Sequence, residues 1–344
     1  MIPLLENAAL ILVSFLIPLF LVLLLMPGFM KYLVRLGRVA DDVHKIPPTK
    51  IPCPVGPLLF LGVVGGEAFV YFAYGSVIPL VVVGAAAIAF VVGITDDLYV
   101  LGGKTKPLLL LLAAVPLLGA ATFRSGVYVP RLAFPLLGTI GAHLTLYTLL
   151  AVAAFPIVAN AFNMMDSFNG QISGFTLMTS VALLFGVALH TAFHPGFSLV
   201  RVASVLPLVG VSAAFFVFNR YPSRAFDGDS GALMFGSMFA TLAITSGVEI
   251  AAIIAIVPAI LNSFYTLSSA RGFVERRKMA SRPTRLGNDG MLYASVEPSA
   301  PNTLIRLILL SGPLGEKDIV REVFVLTAVT CLLSGAISVL TWVV

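Results

Sequence analysis

Long apolar runs alternate with short polar loops along most of this chain, and the length of the runs bears first on the fold. Crossing the hydrocarbon core of a bilayer takes about 20 apolar residues in a helix. Such runs lie near residues 7–27, 54–74, 77–94, 107–123, 143–161, 171–190, 198–218, 230–247, 249–268 and 323–343. The pattern predicts an all-α integral membrane protein of about ten transmembrane helices, a single polytopic domain over residues 1–344. The first run is too long, and its flank too poor in positive charge, for a cleavable signal peptide, so it counts as the first span.

Composition agrees and excludes a soluble domain. Hydrophobic residues make up 59% and charged ones 11%, where a soluble chain carries about a quarter charged positions. Mean hydropathy is +1.03. The charges are also sorted. Of the 21 lysines and arginines, all but Arg124, Arg131 and Arg201 fall in loops that follow odd-numbered runs. Positive charge gathers on the cytoplasmic side, which places the chain in the cell (plasma) membrane with both termini outside. The net charge of +5 then reflects topology and membrane lipid headgroups rather than a nucleic acid partner. Cys53 and Cys331 lie in a loop and in the last run, so no disulfide framework is expected.

Acidic residues are few and grouped, which makes them the more informative charges. GITDDLYVLGGKTKP sets Asp96 and Asp97 after the third run, with Lys104 and Lys106 close behind. NAFNMMDSFNG sets Asn160, Asn163, Asp166 and Asn169 after the fifth, and FNRYPSRAFDGDSG sets Asp227 and Asp229 after the seventh. All three groups fall on the predicted cytoplasmic side. Carboxylates at a membrane boundary are expensive unless paired or bound to a cation, so three groups at one depth suggest one site.

Carboxylate and amide oxygens, with no histidine or cysteine constellation beside them, suit Mg²⁺ or Mn²⁺. Magnesium is usually shared between one or two protein carboxylates and substrate phosphates, so a phosphorylated substrate is implied. Lys104, Lys106, Arg282 and Arg285 lie on the correct side to neutralise phosphate oxygens, and the pattern as a whole describes phosphoryl transfer. Asn160, Asn163 and Asp166 share a helical face. Capping explains part of this polar content, since Asp229 stands where it could cap the eighth span.

The three stretches resemble the cytoplasmic motifs of the polyprenyl-phosphate N-acetylhexosamine-1-phosphate transferases, and the likeness runs from HKIPPTKIP to the last helix. It implies ten helices around a magnesium site facing the cytoplasm. In that family the last cytoplasmic loop, here 269–322, recognises the sugar. Its RRKMASRPTRLGNDGMLYAS contains no histidine and is similar to the loop of the eukaryotic dolichyl-phosphate GlcNAc-1-phosphotransferases, as is NTLIRLILLSGPLGEKD. Asp166 instead matches bacterial members, a mixture that suits an archaeal protein. The resemblance implies Asp229 and Asn163 as metal ligands, Lys106 on phosphate oxygens, and Asp96 and Asp97 as the essential pair. Asn169 would read uracil with Phe226 stacked on it, Asn160 would support that loop, and Arg282 and Arg285 would address the diphosphate or the sugar. Cys53 departs from the family, where a polar or acidic residue is expected.

The implied partners are UDP-GlcNAc and dolichyl or another polyprenyl phosphate, with a homodimer left open. The same reaction with another UDP-N-acetylhexosamine or undecaprenyl phosphate is the alternative. A secondary transporter would place its polar residues near the bilayer midplane, often with internal repeats, whereas these groups sit at the ends of the runs and no repeat is evident. A lipid-anchoring scaffold leaves their convergence unexplained. His190 and His194 have a zinc-like spacing but no third ligand, and are expected in an outer surface loop. His44 is a weaker candidate for contact with the lipid acceptor.

Overall fold

The structure, a computed structural model, describes residues 2–342 apart from 125, 129, 137, 142, 195–197 and 271–280, and of residues 2–5 it describes the backbone alone. Arg271, Arg276, Arg277 and Lys278, and with them the start of the expected recognition loop, lie outside the described residues.

The chain opens with α1 (Ile2–Arg35), then a hairpin of β1 (Val39–Asp42) and β2 (Thr49–Pro52) in antiparallel register, Val39 facing Pro52. α2 (Gly56–Tyr74), α3 (Ile78–Tyr99), α4 (Thr105–Leu110) and α5 (Val115–Phe123) follow. A second hairpin, β3 (Arg131–Phe134) and β4 (Gly138–Gly141), leads to α6 (Leu144–Met165), α7 (Gln171–Phe193), α8 (Leu199–Asn219) and α9 (Gly228–Ser246). Then come α10 (Glu249–Ala255), α11 (Val257–Ser269), the hairpin β5 (Thr284–Leu286) and β6 (Leu292–Ala294), α12 (Leu304–Ile308) and α13 (Glu316–Trp342). Proline stands in the first turn of α2, α3, α5 and α11, where its missing N–H removes no helical bond.

Among the described residues eight helical segments are long and apolar enough to span a membrane, α4 and α5 together counting as one. The α10 and α11 pair, bent by 67° at its break, makes a ninth when taken as one span. α9, where the eighth of the ten expected spans falls, is not among them. It is rich in Gly, Ser and Thr, yet every residue from Ser230 to Ser246 is buried. It packs most closely against α3 and α6. The core around it is aromatic, with Phe155, Phe162, Phe175, Phe215, Phe235 and Phe239 fully enclosed and the Phe162 and Phe175 rings 5.1 Å apart, edge on.

Helix ends differ from the apolar runs in a way that bears on the site. Apolarity fades toward polar ends that remain helical, so α3 continues through Asp96 and Asp97, and α6 through Asn160 and Asn163. α13 likewise begins at Glu316, ahead of its apolar run. The histidines correct the expected surface loop. His190 is 1% exposed, lies stacked 3.9 Å from the Trp342 ring, and its Nδ1 is 2.6 Å from the Ser246 carbonyl oxygen, so this pair packs helix ends together.

Candidate active site

Asp96 and Asp97, adjacent on the last turn of α3, point to different neighbours. Asp96 Oδ2 forms an ion pair with Lys106 Nζ at 2.8 Å, and its Oδ1 accepts the Leu101 N–H at 2.5 Å. Asp97 turns to α9. Its Oδ1 accepts the Asp229 N–H at 2.8 Å and its Oδ2 the Ser230 N–H at 3.1 Å. Amides in the first turn of a helix have no partner within it, and that end carries partial positive charge. Asp97 therefore caps α9 from another helix. The expectation that Asp229 performs the capping is corrected, and its own carboxylate is left for the site.

That carboxylate is gripped from both sides. Lys106 Nζ donates to Oδ2 at 2.5 Å, and the Asn163 amide donates to Oδ1 at 2.8 Å. Close packing sets the positions. A Cβ on Gly228, which has φ +71°, would meet Asp97 Oδ2 at 2.7 Å, and one on Gly93 would meet the Asp229 carbonyl oxygen at 2.5 Å. Neither position has room for a side chain.

These groups open onto a cavity of about 600 Å³. Asp96, Asp97, Lys106, Asn160, Asn163, Asp229 and Arg282 are all on its wall. Asp41, His44, Asp166, Asn262, Ser281 and Thr303 also line it. Its acids, Asp41, Asp96, Asp97, Asp166 and Asp229, outnumber its cations, Lys106 and Arg282, so the wall carries an excess of negative charge. Below the wall sits Asp227, fully buried, with no hydrogen-bond partner on either carboxyl oxygen. Burial pushes its carboxyl well above the usual range, and Asp166 nearby adds to the push. The Cys53 thiol is raised in the same way, by burial first and then by Asp97 and Asp227. It stays a thiol rather than a nucleophilic thiolate.

Four expected residues stand off the cavity wall. Asn169 is 3% exposed; its amide donates to Asp42 Oδ2 at 2.9 Å and its N–H to Glu316 Oε1 at 2.9 Å. Phe226 is half-buried and pairs by its backbone with Pro52 and Val55. Arg285 is exposed on β5 with its guanidinium 5.3 Å from the Tyr293 ring centre. Lys104 is exposed at the start of α4. Asn160 is on the wall, but its amide reaches back to the Pro156 carbonyl at 2.8 Å within α6 rather than to the loop.

A network unseen in the sequence braces one side of the cavity. Lys45 bonds Glu316, lies 3.4 Å from Asp42, and sits 4.1 Å over the Tyr221 ring. It ties the first hairpin to the start of α13, while the His44 ring stacks 4.4 Å from Phe168. The acidic pair DD before HK was the available signal, but charges in a basic cytoplasmic loop look like topology.

Residues 79–247 match glycosyl transferase family 4. A Sulfolobus acidocaldarius protein provisionally named UDP-N-acetylglucosamine–dolichyl-phosphate N-acetylglucosaminephosphotransferase is 25% identical over 295 residues, covering 83% of this chain and 83% of its own length. A Dictyostelium discoideum protein bearing that name without the qualifier is 26% identical over 316 residues, 80% of this chain and 72% of its own. The decaprenyl-phosphate N-acetylglucosaminephosphotransferase of Mycobacterium tuberculosis is 30% identical over 227 residues, 62% of this chain and 54% of its own. Fold, family match and relatives together define the class, an integral-membrane sugar-phosphate transferase. Within that class, it is glycosyl transferase family 4 that residues 79–247 are similar to.

Proposed function

We propose that the protein transfers GlcNAc-1-phosphate from UDP-GlcNAc to dolichyl phosphate, releasing UMP and leaving dolichyl diphosphate GlcNAc. The observation that carries this reading is the junction of Asp96, Lys106, Asn163 and Asp229 on one wall, with Arg282 at the same cavity. The archaeal and Dictyostelium relatives bear the name of this reaction, which supports the choice of sugar and lipid.

A lipid phosphate oxygen attacks the β-phosphorus of the nucleotide sugar, and the bond to the UMP oxygen breaks. Lys106, oriented by Asp96, donates to phosphate oxygens, and Arg282 does so from the loop side. Asp97 holds the α9 terminus that carries Asp229, with both of its oxygens engaged by amides. A phosphate monoester has a second pKa near 6, so the acceptor is largely dianionic at neutral pH. Positioning and charge neutralisation therefore carry the reaction, with no strong protein base. Asp229 and Asn163 offer hard oxygen donors on an acid-rich wall, a set that fits Mg²⁺, or Mn²⁺ in its place. When bound, the ion would supply charge compensation on the diphosphate.

The deciding assay incubates the purified full chain with dolichyl phosphate, Mg²⁺ and a panel of UDP-sugars and follows UMP. UMP with UDP-GlcNAc alone is expected, and none with any sugar from folded protein overturns the reading. We place the cavity on the cytoplasmic side, because the lysine- and arginine-rich loops lie at its end of the helices. In a chain with both native cysteines replaced by alanine, Asn288→Cys at the exposed hairpin tip should react with an impermeant maleimide only from the cytoplasmic side.

A further inference from the structure

Asn262 of α11 is 5% exposed, lies on the cavity wall and belongs to none of the three sequence motifs. Its amide donates to the Met164 carbonyl at 2.8 Å, and its Oδ1 accepts the Leu304 N–H at 2.9 Å. Both partners are helix ends. Met164 is in the last turn of α6, where carbonyls lack helical partners, and Leu304 opens α12, where the same holds for amides. One side chain thus satisfies two termini that belong to different elements. Met164 directly follows Asn163, which grips Asp229, and Leu304 follows the stretch that returns from Arg282.

A second contact on α11 continues the pattern. Ser269, two turns further along the same face, accepts the Asn302 N–H at 2.8 Å. Arg306 stiffens this return by bonding the Ala300 carbonyl, and Asn302 Oδ1 at 3.1 Å. The recognition loop is therefore hung on α11 at two points, but only the Asn262 point also reaches α6.

We infer that Asn262 is a positioning residue that registers the sugar-recognition loop against the end of α6 carrying Asn163, so that seating the nucleotide sugar and aligning the Asp229 and Asn163 pair are one event. This rests on the function proposed above. Asn262→Ala removes both contacts. Asn262→Asp keeps an acceptor for Leu304 but turns an oxygen toward the Met164 carbonyl, and Ser269→Ala loosens the loop alone.

Hydrogen exchange at the Leu304 amide and steady-state kinetics on the detergent-solubilised full chain separate the cases. Asn262→Ala should speed Leu304 exchange by about tenfold and worsen both KM for UDP-GlcNAc and kcat. Asn262→Asp should retain protection and KM but lower kcat by about tenfold, while Ser269→Ala should raise KM with kcat kept. Unchanged Leu304 exchange in Asn262→Ala, or wild-type kcat in folded Asn262→Asp, overturns the inference. Absent turnover in the wild-type chain would instead sink the proposed reaction, and the exchange rates would still decide whether Asn262 joins the two segments.

Discussion

Asp97 and Asp96 are neighbours in sequence with separate tasks, and their substitutions should separate accordingly. In Asp97→Asn an N–H₂ replaces one of two acceptors facing backbone amides, leaving a buried donor unmet at a cost of about 1–3 kcal/mol. Asp96→Asn weakens the hold on Lys106. Since neither aspartate is a strong base, both losses of kcat/KM should be flat between about pH 6 and about pH 8.5. UMP release across that range is the check, and recovery with rising pH in either variant would assign that aspartate a proton-transfer role instead. Asp229→Ala and Asn163→Ala should each lose far more than about tenfold in kcat/KM, or ~1.4 kcal/mol. A milder effect in the same assay would withdraw that residue from the proposed metal site. These acids were legible because so few charges occur in so apolar a chain. Lys45 with Glu316 and Asn262 with Leu304 were not, because each pair meets across a long stretch of chain and no local pattern marks either member.

At the scale of elements, the hairpin of β5 and β6 divides two arginines that sequence could only treat as a pair. Arg282, just before β5, reaches the cavity, whereas Arg285 on β5 faces the Tyr293 ring on the exposed side. The planar fork of arginine suits phosphate oxygens better than the point charge of lysine. Arg282→Lys should therefore lower kcat/KM for UDP-GlcNAc by about tenfold while Arg285→Lys stays near wild type. Kinetics of the two variants side by side decide it, and equal losses would refute the division. The contact of α3 with α9 gives a second test. Gly93→Ala places a methyl against the Asp229 carbonyl oxygen, so α9 must shift. Overpacking of this kind costs about 1–3 kcal/mol, and thermal unfolding should show a lower midpoint together with reduced kcat. An unchanged midpoint and rate would mean the helices are less tightly apposed. Periodicity located these helices but not their polar ends, since hydropathy reports where lipid lies rather than where the backbone stops coiling.

For the molecule as a whole, the recognisable features were the all-helical membrane architecture and the single end on which the chemistry gathers. The centre was hidden, because a helix shielded by protein on every side has no need to be oily. α9 is that helix, and its composition has a consequence for biogenesis. Its hydroxyls bond inside the bundle, Ser237 to the Ala85 carbonyl at 3.2 Å and Thr241 to the Ser237 carbonyl at 2.8 Å, and Asp229 near its start opposes entry into hydrocarbon. Emerging from the ribosome alone, the segment should be a poor substrate for the insertion machinery. Fused by itself between reporter glycosylation sites, it should largely fail to integrate, and adding the upstream chain through α6 should rescue it. Efficient solo integration would contradict this account. The helix that carries Asp229 would thus be admitted to the membrane only once α3 and α6, which share the cavity wall with it, are already waiting.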